Sequence, residues 1–309
     1  MRALVATSNA AAPVTLRDVA EPQPAGNEAL VEVKAISLNR GEVRGLSNSA
    51  EGARPGWDVA GVLARAAADG SGPAAGRRVV GLVRSGGWAE RVAVPTPQLA
   101  ALPDSVSFAQ AATLPVAGLT AFFALKLGGL PLGRRVLVTG AAGGVGRFAV
   151  QLAARAGAHV TGVAGNASRA AGLRELGAAE VVTSFEPEGP AFDLLLESVG
   201  GASLAAAFSR AAQDGLIVSF GDSSREPLQI TANDMRRRPA VRLYGFSLFA
   251  ELQREPGAGA RALGYLAELI AAGRLDPQIA LEADWREPSR ALDALMERTV
   301  AGKAVLHVA

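Results

Sequence analysis

Up to about residue 110 the chain reads as short apolar runs set between Gly, Pro and Asn, at 29–36, 59–64, 78–83 and 89–94. The opening Met1-Arg-Ala-Leu-Val-Ala-Thr7 has the same look. Runs of that length bounded by turn formers predict strands, and so many in succession predict a small β-rich domain. Apolar residues then fall at helical spacing over 108–125. Beyond them, apolar runs at 136–138, 159–164, 181–183, 192–197, 216–220 and 241–246 alternate with helical stretches. Strands alternating with helices predict a parallel, doubly wound sheet, an α/β fold of the Rossmann type. The last segment carries helical patterns near 261–272 and 288–298 and strand patterns at 278–281 and 304–308, and is expected to return to the first domain. The resulting expectation is a β-rich domain over 1–114, completed by 273–309, with the Rossmann domain over 115–272 inserted in it.

The strongest local pattern is Arg135-Val-Leu-Val-Thr-Gly-Ala-Ala-Gly-Gly-Val-Gly146, followed directly by Arg147-Phe-Ala-Val-Gln-Leu-Ala-Ala-Arg-Ala-Gly157. It is a strand, a glycine turn and an amphipathic helix with Val145, Phe148, Leu152 and Ala156 on one face. In a dinucleotide-binding βαβ unit such a turn presents backbone N–H groups and the positive end of a helix dipole to a pyrophosphate. Ala141 permits the tight turn, Gly143 lets the backbone approach the phosphates, and Gly146 lets the helix pack on its strand. Gly144 and Val145 complete the turn. A βα turn that binds nothing is the bland alternative.

About 20 residues beyond such glycines, a site that prefers NAD carries an Asp or Glu for the ribose hydroxyls. Here the sequence is Ala164-Gly165-Asn166-Ala167-Ser168-Arg169. No carboxylate repels a 2′-phosphate, and Asn166, Ser168 and Arg169 are donors for one, so the expected cofactor is NADP(H). Arg169 also suits an ordinary solvated place in the first turn of a helix.

Composition narrows the setting. A formal charge of +2 across 309 residues gives no reason to expect nucleic acid as a partner. Lysine is rare: Lys34, Lys126 and Lys303 are the only three among 31 basic residues. The absence of cysteine excludes disulfides and thiol chemistry and fits a cytoplasmic protein. No apolar run reaches membrane-spanning length, and the first residues read as a strand, not a signal peptide.

Taken in order, Ala35-Ile-Ser-Leu-Asn39-Arg, Pro55-Gly-Trp-Asp-Val-Ala-Gly61, Gly76-Arg-Arg-Val-Val, Gly87-Trp-Ala-Glu-Arg-Val, Leu114-Pro-Val-Ala-Gly-Leu-Thr120-Ala, the glycine turn, Glu197-Ser-Val-Gly-Gly201 and Gly302-Lys-Ala-Val-Leu resemble the medium-chain dehydrogenase/reductase superfamily. The resemblance is to its zinc-free quinone oxidoreductase-like (zeta-crystallin-like) branch and runs nearly end to end. It implies a GroES-like catalytic domain made from both chain ends, a Rossmann domain between, a nicotinamide in the cleft and a homodimer joined through the edge strand at 241–246. With only His159 and His307 and no cysteine, the sequence offers no thiolate–imidazole zinc site. The implied reaction is hydride transfer from NADPH to an acceptor that needs no Lewis acid, a quinone or an alkene conjugated to a carbonyl. The alternatives are a tailoring enone or enoyl reductase of specialised metabolism, or an NADPH-binding protein with little catalysis.

By the same resemblance Asn39 lies near nicotinamide and substrate, and Thr120 lines the nicotinamide pocket. Asn39 also fits a turn after a strand, and Thr120 also fits helix packing. Val199, Gly200, Phe220 and Gly221 fall just past strand ends, where open α/β sheets bind ligands, and Phe246, Ser247 and Phe249 match a nearby cofactor-side loop. Arg44 and Trp57 are candidates for the substrate pocket, with Arg44 equally suited to an exposed loop and Asp58 to a structural place in the cleft wall. The tyrosines that stack on a quinone in the branch are missing, since the chain has only Tyr244 and Tyr265.

Overall fold

The computed structural model describes residues 1–9 and 12–308. Contacts divide the chain into two compact units, one of Met1–Leu119 with Leu252–Ala309 and one of Thr120–Glu251.

The first unit is built on a mixed sheet in the order Ile279–Asp284, Lys303–His307, Glu28–Leu38, Asp58–Arg65, Arg78–Leu82, Leu99–Ala101, with Arg91–Pro95 pairing to Glu28–Leu38 as well. A second, two-stranded sheet pairs Arg2–Ala6 with Val14–Asp18. The strand Glu28–Leu38 explains the arrangement. Ala29, Val31 and Val33 are buried while Glu32 is exposed, the alternation of a strand with one wet face. From Ala35 to Leu38 every residue is buried: here the strand is flanked by Lys303–His307 and by Asp58–Arg65, and the helix Phe108–Ala112 packs against it. Leu4, Ile36, Leu63, Trp88 and Trp285 form its core.

Two local expectations change in this unit. The first 110 residues are not all strand and turn, since Arg40–Gly45 is a helix that starts at Asn39 directly after the long strand. The helical stretch at 108–125 is broken: Phe108–Ala112 is capped by Ser107, Leu114–Gly118 is a π-helical turn, and Leu119–Leu127 resumes the α-helix. Pro115 has no N–H to give, and the Val116 N–H goes to a side chain, Oδ1 of Asp58, at 2.9 Å. The helix Ala258–Ala271 packs on Leu99–Ala101 and on the turn Thr96–Gln98, within the first unit.

The second unit is a six-stranded, all-parallel sheet in the order Glu180–Val182, His159–Val163, Arg135–Thr139, Phe192–Glu197, Ala211–Ser219, Arg242–Gly245. The two central strands carry apolar runs at their centres, Val136 to Val138 and Leu194 to Leu196, as a sheet covered on both faces requires. The order reverses beside Arg135–Thr139, the first strand of the unit. That is the switch point at which doubly wound sheets bind ligands.

Candidate active site

Because the six strands are parallel, every segment that follows a strand end lies at one edge of the sheet. The predicted cofactor residues all fall there: Ala141 to Gly146 after Arg135–Thr139, Asn166 to Arg169 after His159–Val163, Val199 and Gly200 after Phe192–Glu197, Phe220 and Gly221 after Ala211–Ser219, and Phe246 to Phe249 after Arg242–Gly245. Phe220 and Phe246 meet edge to face at 6.5 Å between ring centroids.

The glycine turn is closed by Gly143 N–H to Gly140 O at 2.9 Å and tied to the second strand by Ala141 N–H to Val163 O at 2.9 Å. Helix Gly144–Arg155 begins at once, so its first amides have no acceptor within the helix. A Cβ on Gly146 would sit 2.4 Å from Gly140 O, so that glycine is required by the turn itself. A Cβ on Gly143 would meet only Gly140 O, at 3.4 Å, an ordinary contact. Nothing in the chain demands glycine at 143, which leaves the space in front of the turn as the reason for it. The residues present therefore fit a dinucleotide pyrophosphate.

Asn166 caps the single helical turn Ala167–Ala170, its Oδ1 accepting from Arg169 N–H at 2.9 Å and from Ser168 Oγ at 2.8 Å. At the next strand end a residue that sequence reasoning left aside organises the backbone. The buried carboxylate of Glu197 accepts from Thr139 Oγ1, Val199 N–H and Ser203 Oγ on Oε1 and from Gly200 N–H on Oε2, each at 3.0 Å. Four donors on one carboxylate fix the turn 198–201, where Gly200 and Gly201 both have positive φ. Thr120 is buried in the helix Leu119–Leu127.

The first unit holds the polar cluster. Asn39 ends the long strand and stands at the N-cap of the helix Arg40–Gly45. Its Nδ2 donates to Asp58 Oδ2 at 2.8 Å, its Oδ1 accepts from Lys303 Nζ at 2.8 Å, and its N–H donates to Glu42 Oε2 at 2.7 Å. Lys303 can only donate and an ionised Asp58 can only accept, so the two charges dictate which way the amide faces. Lys303 also donates to Leu38 O at 3.1 Å and stands 3.6 Å from Asp58. Exposure of the two side chains is 3% and 0%.

Burial, with the Asp58 charge adding to it, pushes the Glu42 carboxyl up to about 8, and its Oε1 is buried with no partner. Burial also raises Asp58 and lowers Lys303, each opposed by the other's charge. At neutral pH Glu42 therefore carries a proton, while Asp58 accepts from Asn39 Nδ2 and Val116 N–H and faces Lys303 Nζ at 3.6 Å. Neither Glu42 nor Lys303 stands out as a site residue in the sequence. The available signal was the rarity of lysine, since a chain that uses arginine almost everywhere keeps Lys303 at a buried spot. Arg44 lies half-buried on the helix Arg40–Gly45 and not in an exposed loop, and Trp57 lays its ring beside Gly41, where an added Cβ would be 3.2 Å from it.

Among the described residues no three His, Cys, Asp or Glu side chains gather as a metal-binding group. His159 lies on a strand of the second unit and His307 pairs with Glu282 at 2.6 Å. The side chains present do not fit a zinc site. Also among the described residues, no helix is long and apolar enough to cross a membrane.

A family described as zinc-binding dehydrogenase matches residues 144–258. The chain is 35% identical over 288 residues, 89% of its length, to the spectinabilin polyketide synthase system protein NorB of Streptomyces orinoci, of which the match spans 13%. It is 39% identical over 186 residues, 55% of its length, to the chloroplast envelope quinone oxidoreductase homolog of Arabidopsis thaliana, and covers 56% of it. The fold is that of the quinone oxidoreductase of Coxiella burnetii (TM-score 0.84, 26% identity, 100% of this chain and 99% of that one). It is equally that of Escherichia coli quinone oxidoreductase complexed with NADPH (0.88, 24%, 99% of both chains) and of the CurK enoyl reductase (0.87, 25%, 99% and 98%). With its parallel Rossmann sheet, its mixed-sheet unit drawn from both ends of the sequence and these relatives, the chain belongs to the medium-chain dehydrogenase/reductase superfamily, in its quinone oxidoreductase-like branch.

Proposed function

We propose that the protein is an NADPH-dependent reductase that passes hydride to a quinone or to an alkene conjugated to a carbonyl, without a metal. The observation that carries this reading is the phosphate turn at the switch point of the parallel sheet, followed at the next strand end by Asn166, Ser168 and Arg169 where an NAD site would hold an acid. The E. coli quinone oxidoreductase of the same fold is complexed with NADPH, which supports the same cofactor here.

Bound at this edge, reduced nicotinamide supplies the hydride. The amides of the turn and of the first helical residues hold the pyrophosphate, and Arg169 meets the 2′-phosphate. Glu197 keeps Val199 and Gly200 in register as the wall of the site, with Phe220, Gly221, Phe246, Ser247 and Phe249 beside them, and Thr120 contributes from its helix. Asn39 is the donor for the substrate oxygen on which negative charge develops. One Nδ2 hydrogen is committed to Asp58, which leaves the other to donate. Pinned by Lys303 and Asp58, the amide needs no reorganisation during the reaction, the condition under which such a donor is worth most. Arg44 and Trp57 line the substrate side.

The test is NADPH and NADH oxidation with a panel of quinones and enones, with and without chelator, for the wild type and Asn39→Ala. Removal of one positioned donor is expected to cost on the order of 100-fold in turnover, with NADPH affinity retained; the melting temperature falls because the bonds to Asp58 and Lys303 are lost, so turnover is compared well below it. Unchanged turnover would reduce Asn39 to scaffolding. No turnover with any acceptor would leave the reading of an NADPH-binding protein with little catalysis. The polyketide synthase match and the CurK enoyl reductase support a second reading, reduction of one larger enone or enoyl substrate in specialised metabolism. Its mark would be weak quinone turnover beside strong activity on a bulky conjugated carbonyl.

We also propose a homodimer. The strand Arg242–Gly245 ends the sheet with Leu243 45% exposed, beside a groove lined by Leu228, Ile230, Met235 and Val241. An open apolar edge of this kind is a template for pairing.

A further inference from the structure

Arg147 is the first residue after Gly146, in the opening turn of the helix Gly144–Arg155, and is 6% exposed. Its side chain does not run out to solvent as a helix-surface arginine would. It turns toward the segment that follows the second strand. Nη2 donates to Ala171 O at 2.8 Å and to Arg169 O at 3.4 Å, and Nε donates to Ala142 O, within the glycine turn, at 3.4 Å. Gly172, at φ +79°, passes so near that a Cβ there would lie 3.3 Å from Nη1. One guanidinium thus joins the turn assigned to the pyrophosphate with the backbone that carries Arg169.

That backbone needs an anchor. The helix Ala167–Ala170 is a single turn, too short to hold itself, because nucleation fixes several residues for one hydrogen bond. Asn166 caps its start, and Arg147 grips the carbonyls at its end. The glycine turn is less dependent on Arg147. It is closed by its own Gly143–Gly140 bond and tied to Val163 by Ala141, while the contact from Arg147 to Ala142 is long. Lysine would not replace the fork, since a single ammonium cannot span carbonyls on two segments in a planar array.

We propose that Arg147 is a positioning residue for recognition of the 2′-phosphate: by fixing the backbone of residues 169–172 it sets where Arg169 stands, and so sets the preference for a phosphorylated ribose. The proposal rests on the assignment of NADP(H) above.

The test compares binding of 2′,5′-ADP and 5′-AMP by calorimetry in the wild type, Arg147→Met and Arg147→Lys, with melting curves to verify folding. These probes share the adenosine and the 5′-phosphate and differ only in the 2′-phosphate. In Arg147→Met the affinity for 2′,5′-ADP is expected to fall about tenfold and that for 5′-AMP by less than about threefold, so the ratio collapses. Arg147→Lys, which keeps the charge and loses the fork, is expected to lower the ratio too, and decides the matter if the Met variant does not fold. A general loss of stability would weaken both ligands alike, and a ratio that stays at the wild-type value in the folded variants overturns the proposal. A wild-type ratio near one overturns the NADP(H) assignment itself, and this inference with it.

Discussion

Lys303→Met isolates the energetics of the buried cluster. Methionine keeps the length and apolar stem of the side chain and removes the ammonium. Asp58 retains two donors, Val116 N–H at 2.9 Å and Asn39 Nδ2 at 2.8 Å, and loses the counter-charge that stood 3.6 Å away. With side-chain exposures of 3% and 0%, water does not screen the change. Leaving one member of a buried ion pair alone costs about 3–5 kcal/mol. The loss of the bond to Leu38 O, worth about 1 kcal/mol, argues for the upper half of that range.

Urea unfolding at pH 7, followed by far-ultraviolet circular dichroism, reads the loss as a lower midpoint. The double variant Lys303→Met/Asp58→Asn removes the stranded charge and should regain about 2 kcal/mol or more relative to Lys303→Met alone. The penalty should also shrink at pH 5. Burial already raises the Asp58 carboxyl, and without Lys303 it rises further, so the folded state takes up a proton more readily than the unfolded one and gains stability as pH falls. A loss under about 1 kcal/mol, or a double variant no more stable than the single, would refute the picture of a charged pair holding this corner together.

Arg169→Ala removes a charge-assisted partner worth roughly 1.5–3 kcal/mol and should weaken NADPH by about 10- to 100-fold while leaving NADH nearly unchanged; equal effects in a cofactor titration would remove the case for a 2′-phosphate site. Glu42 has its folded pKa raised from 4.5 to about 8, so it binds its proton more tightly in the folded state and stability falls as pH rises through that window. Glu42→Gln should flatten the decline, and melting curves from pH 5 to 8.5 that run parallel for variant and wild type would count against a protonated Glu42. Light scattering at micromolar concentration should give the mass of a dimer, and a monomer would rule out pairing through the strand Arg242–Gly245.

What the sequence revealed was what short stretches encode. The turn at 140–146 was legible because strand, glycines and helix are contiguous, and the sheet edge that collects Val199, Gly200, Phe220, Gly221 and Phe246 follows from alternating strands and helices. The strand pattern at 278–281 marked a real element whose true extent is Ile279–Asp284. The π-helical turn at Leu114–Gly118 was hidden because its cause lies outside it: the Val116 amide is claimed by Asp58, 58 residues away. Glu42 and Lys303 were hidden for a related reason. Nothing near either residue in sequence says that it is sealed from water, and charged side chains are exposed far more often than not. Glu197 sat inside a recognisable motif, yet its four donors become visible only once the strand end has turned back on itself.

The contact between Lys303 and Asn39 spans 264 residues. At a synthesis rate of roughly 5–20 residues per second, Asn39 and Asp58 wait on the order of 15 to 50 s for their partner to be made. The strand Glu28–Leu38 waits equally long for the neighbour that pairs with its last four residues. The whole of Thr120–Glu251 is translated in that interval and makes its parallel sheet from its own segments. The nascent chain thus has a set order of assembly, the inserted unit first and the unit drawn from both chain ends last, and for much of that time the Asp58 carboxylate has to be kept in water by a half-made sheet.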